Sequence, residues 1–225
     1  METTQDIEAI RVKLSDLDPV LAVAHEVVEL FEWDSRDSGF VGLIQLIIEQ
    51  QVSVAAARAI WKRFKAGEGR VNSKNVRKFT VGELKAFGFS RAKAVYVLGI
   101  AEAEASGAID FDHVAKLGDN EAIEKLTELK GVGRWTAEVY LMFCEGRKDL
   151  FPAGDLALRE GFRLAARKKH RPSEKELYAR AERWRPNRGV AANLLWSYYS
   201  GVRSGSIELP NPKLAKPSKK KPVKR

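Results

Sequence analysis

The chain has 225 residues, 44% of them apolar, which is enough to bury a core without disulfides or metals. Its single cysteine, Cys144, excludes an intrachain disulfide and a four-cysteine iron–sulfur cluster. No apolar run reaches membrane-spanning length, and the polar amino terminus does not resemble a secretory signal. We therefore expect a globular protein of a reducing compartment, without a membrane segment.

The net charge of +9 is concentrated at the carboxyl terminus. Residues 213–225 contain seven lysines and arginines and no acid, which leaves +2 for residues 1–212. Such a basic segment is predicted to be disordered. It serves either as a solubilising end or as an arm that adds salt-dependent attraction to phosphates. The sequence thus predicts a helical domain of residues 1–212 and a basic tail of residues 213–225.

Helical periodicity runs through nearly the whole chain, whereas alternating, strand-like runs are almost absent, so we predict an all-α protein. The predicted helices span residues 6–14, 19–31, 40–50, 53–64, 80–88, 90–106, 110–117, 120–129, 134–145, 155–169, 173–183 and 188–202. The helix of residues 40–50 is apolar on nearly every side and is predicted to be the central buried helix.

Polar residues mark several helix ends. The predicted N-caps are Ser53 and Ser90, and the predicted capping boxes pair Thr80 with Glu83 and Ser173 with Glu176. The sequence Gln50-Gln51-Val52-Ser53 is predicted to form a turn between two helices, and residues 66–74 are predicted to form a loop.

The stretch Leu129-Lys-Gly-Val-Gly-Arg-Trp-Thr-Ala137 predicts a tight glycine turn that leads into a helix. Gly131 and Gly133 permit positive φ and the close approach of another backbone. The N–H groups of the helix start, with the positive end of the helix dipole behind them, form an anion site. Phe151-Pro-Ala-Gly-Asp155 then places a carboxylate at the start of the next helix. Together these features suggest a phosphate clamp beside an acid.

Residues 84–93 show the same pattern as the glycine turn before residue 134: a helix, a glycine turn and a second helix start that carries basic residues. This segment is either a second, weaker contact with a nucleic-acid backbone or an ordinary helix connection. The sequence does not favour one interpretation over the other.

The pattern Leu129-x-Gly-Val-Gly-x-x-Thr-Ala137 followed by Phe151-Pro-x-Gly-Asp155 resembles the helix–hairpin–helix plus Gly/Pro-Asp signature of the base-excision DNA glycosylase superfamily. Three pieces, residues 48–53, residues 129–137 and residues 181–188 through 195–196, resemble its 3-methyladenine DNA glycosylase II branch. The resemblance covers residues 18–202. It implies two helical lobes, a hairpin motif at residues 126–145 and an active-site cleft between the lobes.

The resemblance also implies the reaction. Such an enzyme flips an alkylated purine of the 3-methyladenine type out of double-stranded DNA and hydrolyses its N-glycosidic bond, which leaves an abasic site. Members with lyase activity carry a lysine two residues after the second hairpin glycine. Here that position is Trp135, so no Schiff-base nucleophile is available. We therefore expect a monofunctional glycosylase that requires no cofactor.

Asp155 is the predicted catalytic residue. A carboxylate beside the sugar stabilises the positive charge that develops as the base leaves, and it can orient the attacking water. The alternative is that Asp155 only caps the helix that begins at Leu156. Asp149 is the nearest competing carboxylate.

The resemblance implies that Trp135 and Trp196 are walls of the base pocket, since they match family positions at which a cationic alkylated base stacks on electron-rich aromatic rings. Tyr140 is the candidate for a third wall. Core packing is the alternative for both tryptophans. The related tyrosine of the family lies one position before Tyr140, where this chain has Val139.

Gln51 is the predicted wedge that fills the gap left by the flipped base, and a plain polar helix connection is the alternative. Gly131, Gly133, Arg134 and Thr136 are predicted to bind the DNA backbone through main-chain N–H groups. Hairpins of this type also recruit a monovalent cation, here through the carbonyl groups of Thr127, Leu129 and Val132. His25, His113 and His170 are isolated, so no side-chain metal site is expected.

Two other functions remain open from the sequence. The same hairpin could serve a non-catalytic, structure-specific DNA-binding module. The chain could also be a glycosylase for a neutral lesion such as ethenoadenine, hypoxanthine or uracil. In each case the expected partner is double-stranded DNA and the expected state is a monomer. The expected compartment is the cytoplasmic nucleoid of a bacterium or archaeon, or the nucleus of a eukaryote.

Overall fold

The computed structural model describes residues 4–69 and 71–209, and all regular structure in these residues is helical. The helices are α1 (Thr4–Leu17), α2 (Pro19–His25), α3 (Gly39–Glu49), α4 (Val54–Glu68), α5 (Ser73–Val76), α6 (Val81–Ala86), α7 (Arg91–Ala105), α8 (Phe111–Val114), α9 (Asp119–Thr127), α10 (Arg134–Phe143), α11 (Leu156–Ala165), α12 (Glu174–Ala181) and α13 (Arg188–Ser204), with a 3₁₀ turn at Glu182–Trp184. None of them is long and apolar enough to cross a membrane. The predicted basic tail of residues 213–225 lies outside the described residues.

The helices pack as two groups, which agrees with the predicted two-lobed, all-α fold. Helices from both ends of the chain, α1, α2, α11, α12 and α13, form one group, here called the terminal lobe. Helices α3 to α10 form the other, the middle lobe. Segments 26–38 and 144–155 connect the two lobes, and the candidate site lies where they meet.

The capping residues define the helix ends as expected. Ser53 and Ser90 accept hydrogen bonds from the first turns of α4 and α7, and both predicted capping boxes are present, at the starts of α6 and α12. Helix α3 is the central buried helix, with Leu43, Ile44 and Ile47 fully buried. These predictions are confirmed.

Several predicted boundaries are wrong, among them the end of α11, which lies at Ala165 and not at residue 169. The helix that begins at Pro19 ends at His25 and does not continue to residue 31. The reason is a long-range contact, because the guanidinium of Arg11 donates to the carbonyl oxygens of Val28 and Glu29 in the irregular segment that follows α2. The predicted loop of residues 66–74 is shortened from both sides, since α4 continues to Glu68 and α5 begins at residue 73.

The contact between α11 and α13 positions part of the site. A Cβ atom at Gly161 of α11 would lie 2.4 Å from the carbonyl oxygen of Leu195 in α13, so only glycine permits this approach. Because the two helices are this close, Asp155 at the start of α11 lies next to Trp196 of α13. Gly161, six residues after Asp155, therefore allows the close helix contact that places Asp155 beside the indole of Trp196.

Candidate active site

Asp155 is the N-cap residue of α11 and is partly exposed at the junction of the lobes. Its Oδ1 accepts hydrogen bonds from the backbone N–H of Leu158 at 2.7 Å and from Nε1 of Trp196 at 3.0 Å. Its Oδ2 accepts a hydrogen bond from Nε1 of Trp135 at 3.0 Å. Three N–H donors thus fix the orientation of one carboxylate, and the capping role does not compete with a catalytic one.

The structure brings both predicted tryptophans to this acid. Trp135 lies in the first turn of α10 in the middle lobe and Trp196 in α13 of the terminal lobe, and neither indole is fully buried. Pure core packing therefore does not account for them. The sequence predicted that the two tryptophans are aromatic walls. It did not predict their N–H hydrogen bonds to Asp155, because no sequence pattern shows which way the N–H group of an indole points.

A cavity of about 580 Å³ opens beside Trp135. It is lined by residues of the segment before α3, by Gln45 and Glu49 of α3, by Val52 of the next turn, and by α4 residues Val54, Ala57 and Arg58. Its volume falls within the range of roughly 300–1,000 Å³ that is typical of small-molecule sites. Trp135 thus borders the cavity and contacts Asp155 through its N–H group, whereas Asp155 and Trp196 are not among the residues that line the cavity.

Tyr140 is not a wall of this cavity, and that prediction is wrong. The residue is fully buried, and its hydroxyl donates to Oε1 of Glu145 at 2.7 Å and accepts the backbone N–H of Gly39 at 2.9 Å. Five residues along a helix turn a side chain by about 140°, which directs Tyr140 away from Trp135 and into the core. Tyr140 instead anchors the segment that leads into α3.

The predicted hairpin forms the turn before α10. Gly131 has a φ of +94°, and a Cβ atom there would lie 2.4 Å from the ring of Tyr96, so both conformation and packing require glycine. Gly133, the N-cap residue of α10, supplies no side-chain cap, and the space over it is open. The first turn of α10 therefore presents its N–H groups without a capping side chain, as an anion site requires.

The two other hairpin residues differ in accessibility. Thr136 is buried and its Oγ1 accepts a hydrogen bond from Nε2 of Gln50 at 3.0 Å, so only its main chain can serve a ligand. The side chain of Arg134 is 53% exposed, while its Nε donates to Glu138 at 3.0 Å and to the Tyr178 hydroxyl at 3.1 Å. Arg134 is thus held in place at the protein surface.

Glu138 makes the stability of the protein depend on pH. Burial raises its pKa to about 7, although hydrogen bonds from Tyr178 and Arg134 act in the opposite direction. An unfolded glutamate ionises near pH 4.5, so the free energy of unfolding should fall by about 3 kcal/mol as the pH rises from that value to above 7. Urea denaturation across this range measures the fall, and Glu138→Gln should remove most of it. Parallel curves for the two proteins would contradict the assignment.

The turn between α3 and α4 is attached to the hairpin. Gln51 is exposed at its apex with a φ of +54°, as a wedge would be. Nε2 of Gln50 donates to the carbonyl oxygen of Gly131 at 3.1 Å as well as to Thr136. Nζ of Lys93, a buried residue of α7, donates to the carbonyl oxygens of Ile48 at 2.7 Å and of Gln50. Sequence reasoning did not identify Gln50 or Lys93.

Asp149, the competing carboxylate, is engaged elsewhere. It accepts hydrogen bonds from Arg185 at 2.8 Å and from Arg188 at 2.9 Å, and neither tryptophan of the site contacts it. Asp149 therefore belongs to an ion-pair cluster that links the connecting segment of residues 144–155 to the start of α13.

The predicted main-chain cation site at Thr127, Leu129 and Val132 lies beside the hairpin and stays a prediction. The carbonyl oxygen of Leu129 already accepts the N–H of Val132 at 3.0 Å, which leaves it one further lone pair. Within residues 4–69 and 71–209 no group of three or more His, Cys, Asp or Glu side chains is placed to hold a metal.

A family model described as "HhH-GPD superfamily base excision DNA repair protein" matches residues 44–186, more than half of the 225-residue chain. The chain therefore belongs to the HhH-GPD superfamily. The predicted family and fold class are confirmed.

Particular relatives narrow the class. The chain is similar to DNA-3-methyladenine glycosylase 1 of Schizosaccharomyces pombe, with 37% identity over 158 residues that cover 68% of this chain and 69% of the relative. Among solved structures it is similar to the 3-methyladenine DNA glycosylase of the same yeast in complex with abasic DNA, with a TM-score of 0.75, 32% identity and coverage of 84% and 95% of the two chains. The DNA-3-methyladenine glycosidase of Bacillus halodurans has a TM-score of 0.75, 29% identity and coverage of 86% and 91%. These similarities support the predicted 3-methyladenine glycosylase branch.

Proposed function

We propose that the chain is a monofunctional DNA glycosylase of base-excision repair that removes alkylated purines of the 3-methyladenine type from double-stranded DNA. One observation carries the proposal. The carboxylate of Asp155 is held by Trp135 and Trp196, and Trp135 also borders a cavity. A backbone-binding module that performs no chemistry has no need of an oriented acid whose indole partner lines a cavity large enough for a base.

Binding begins at the hairpin. The first-turn N–H groups of α10 hold a phosphate, and Arg134 adds charge at the same surface. The damaged nucleotide rotates out of the duplex at a cost of a few kcal/mol, and Gln51 occupies the space it leaves. The base enters the cavity beside Trp135, where stacking and cation–π attraction contribute about 1–3 kcal/mol.

The chemical step breaks the bond between C1′ of the sugar and the base nitrogen, and the bonding electrons leave with the base. Alkylation has already given the base a positive charge, so it departs as a neutral molecule. Asp155 stabilises the positive charge on the sugar and takes the proton of the water that attacks C1′. The product is an abasic site. Because position 135 is tryptophan, no amine is present there to cleave the strand.

The chain supplies the acid, both indoles and the hairpin from one polypeptide, so the proposed active form is a monomer on double-stranded DNA. Its proposed location is the DNA of the cell, which is the nucleoid of a prokaryote or the nucleus of a eukaryote.

The proposal predicts the release of free methylated purines from methylated genomic DNA without added lyase. Chromatography of the released bases measures the reaction, and deaminated DNA serves as the comparison substrate. The strands should stay intact until the abasic sites are cleaved by alkali. Preferential release of hypoxanthine or uracil would instead favour the neutral-lesion enzyme, and no release from either DNA would favour the binding module.

A further inference from the structure

The cavity beside Trp135 is lined by polar residues that the proposed reaction does not use. One of them is Glu49, in the last turn of α3. Its Oε2 accepts a hydrogen bond from Nη1 of Arg36 at 2.7 Å, and its Oε1 accepts one from Nε2 of Gln45 at 3.3 Å. These two hydrogen bonds hold the carboxylate in one orientation, and 32% of the Glu49 side chain remains exposed.

We propose that Glu49 is a specificity-determining residue, which accepts a hydrogen bond from an N–H group of the flipped purine and favours bases that carry a positive charge. This inference rests on the proposed function, since it assigns the cavity to the base.

The chemistry of a carboxylate fits this role. An ionised carboxylate only accepts hydrogen bonds, and each of its oxygens can accept more than one. Arg36 and Gln45 use one position on each oxygen and leave the others for a ligand. Adenine and guanine both present N–H donors on their Watson–Crick edges, whether or not they are alkylated at a ring nitrogen elsewhere.

The charges around the cavity favour a cation. Among the residues that line it, Asp34, Asp37 and Glu49 are acidic, whereas Arg36 and Arg58 are basic, which leaves one net negative charge. The ring of Trp135 on the same cavity attracts cations by its electron-rich face. A positively charged base thus meets an attractive ring and an attractive carboxylate together.

A purely structural role for the Glu49–Arg36 pair accounts for less. Both partners are partly exposed, and ion pairs of this kind contribute little to stability. The segment before α3 is already fastened by the backbone, because the N–H of Arg36 donates to the carbonyl oxygen of Phe143 at 2.9 Å. The pair is not needed to hold that segment, whereas it does fix the carboxylate toward the cavity.

The variant Glu49→Gln tests the assignment, because glutamine keeps the size of the side chain and removes its charge. Single-turnover release is measured for the cationic lesions 7-methylguanine and 3-methyladenine and for the neutral lesions hypoxanthine and ethenoadenine. We expect the variant to lose about tenfold in release of the cationic bases and to change little on the neutral ones. Glu26→Gln, which changes an exposed carboxylate directly after α2, is the matched control. An equal loss on both lesion classes, or no loss on either, would overturn the proposal.

If the wild-type chain releases no base at all, the proposed function fails, and the inference is then tested by binding alone. Quenching of tryptophan fluorescence compares the cationic nucleoside 7-methylguanosine with guanosine. A preference of wild type for 7-methylguanosine that Glu49→Gln loses supports the inference. Equal quenching by the two nucleosides overturns it.

Discussion

Replacing Asp155 with Asn is expected to slow base release by about a thousandfold in a protein that stays folded. A carboxylate about 4 Å from a developing positive charge contributes roughly 4 kcal/mol at an effective dielectric constant near 20. That free energy corresponds to about three orders of magnitude in rate. Single-turnover release of methylated purines measures the loss directly.

The hydrogen bonds of Asp155 explain why the fold should survive. Asn caps helices as well as Asp does, and its carbonyl oxygen can still accept from Leu158 and Trp196. Its amide group then faces the N–H of Trp135, so one hydrogen bond is lost at a cost of about 1 kcal/mol. For a chain of this size we expect the melting temperature to fall by only about 2–4 °C.

Asp149→Asn is the matched control for this experiment. It disturbs ion pairs with Arg185 and Arg188 but removes no group near the two indoles. At a temperature where both variants are folded, Asp149→Asn should keep the rate of the wild type. If Asp155→Asn retains more than about a tenth of the wild-type rate, the carboxylate is a helix cap and the catalytic assignment fails.

Replacing Lys93 with Met is expected to lower the free energy of unfolding by about 3 kcal/mol. Burial lowers the pKa of this lysine, and its ammonium group donates to two carbonyl oxygens at the end of α3. A hydrogen bond to a charged group contributes about 1.5–3 kcal/mol, and the two carbonyls are left without this donor in the variant. The gain from no longer burying a charge offsets only part of that loss.

The same substitution should impair function beyond its effect on folding. Lys93 holds Gln50, and Gln50 holds the hairpin, so the turn that carries Gln51 loses its fixed position relative to the phosphate clamp. We expect weaker binding to abasic DNA and slower base release under conditions where the variant is fully folded.

Urea denaturation and DNA-binding titrations measure the two effects separately. Lys85→Met, which removes an exposed lysine of the same lobe, is the control and should change stability by no more than about 0.5 kcal/mol. A Lys93→Met protein with wild-type stability would show that the buried ammonium contributes nothing. If folded Lys93→Met binds DNA and releases bases as the wild type does, the hydrogen bonds of Lys93 and Gln50 are not needed to position Gln51.

The fold was largely predictable because its signals are local. Serine and threonine caps, a glycine-rich turn and one apolar helix define most helix boundaries without reference to distant residues. The hairpin and Asp155 were predictable for the same reason, since each sits in a short pattern with a fixed relation to a helix start. Where a distant residue decides, as Arg11 does for the end of α2, the prediction failed.

The site was only partly predictable, because its remaining features arise from contacts between distant segments. The indoles of Trp135 and Trp196 lie 20 and 41 residues from the acid they contact. Tyr140 was predicted as a pocket wall although the related tyrosine of the family lies one position earlier, and the rotation of α10 buries it. The contacts of Lys93 could not be predicted, because the carbonyl group of Ile48 that its ammonium binds lies 45 residues away in the chain.

Helix α10 begins as the candidate phosphate clamp, and its second residue, Trp135, already contacts the candidate catalytic acid. A helix advances about 1.5 Å and turns about 100° per residue, so the offset between a bound phosphate and the reacting sugar is set by rigid backbone. Inserting one residue within this first turn would rotate the indole off Asp155 while leaving a helix start intact. The first turn of α10 thus fixes the position of the proposed phosphate site relative to the proposed catalytic acid.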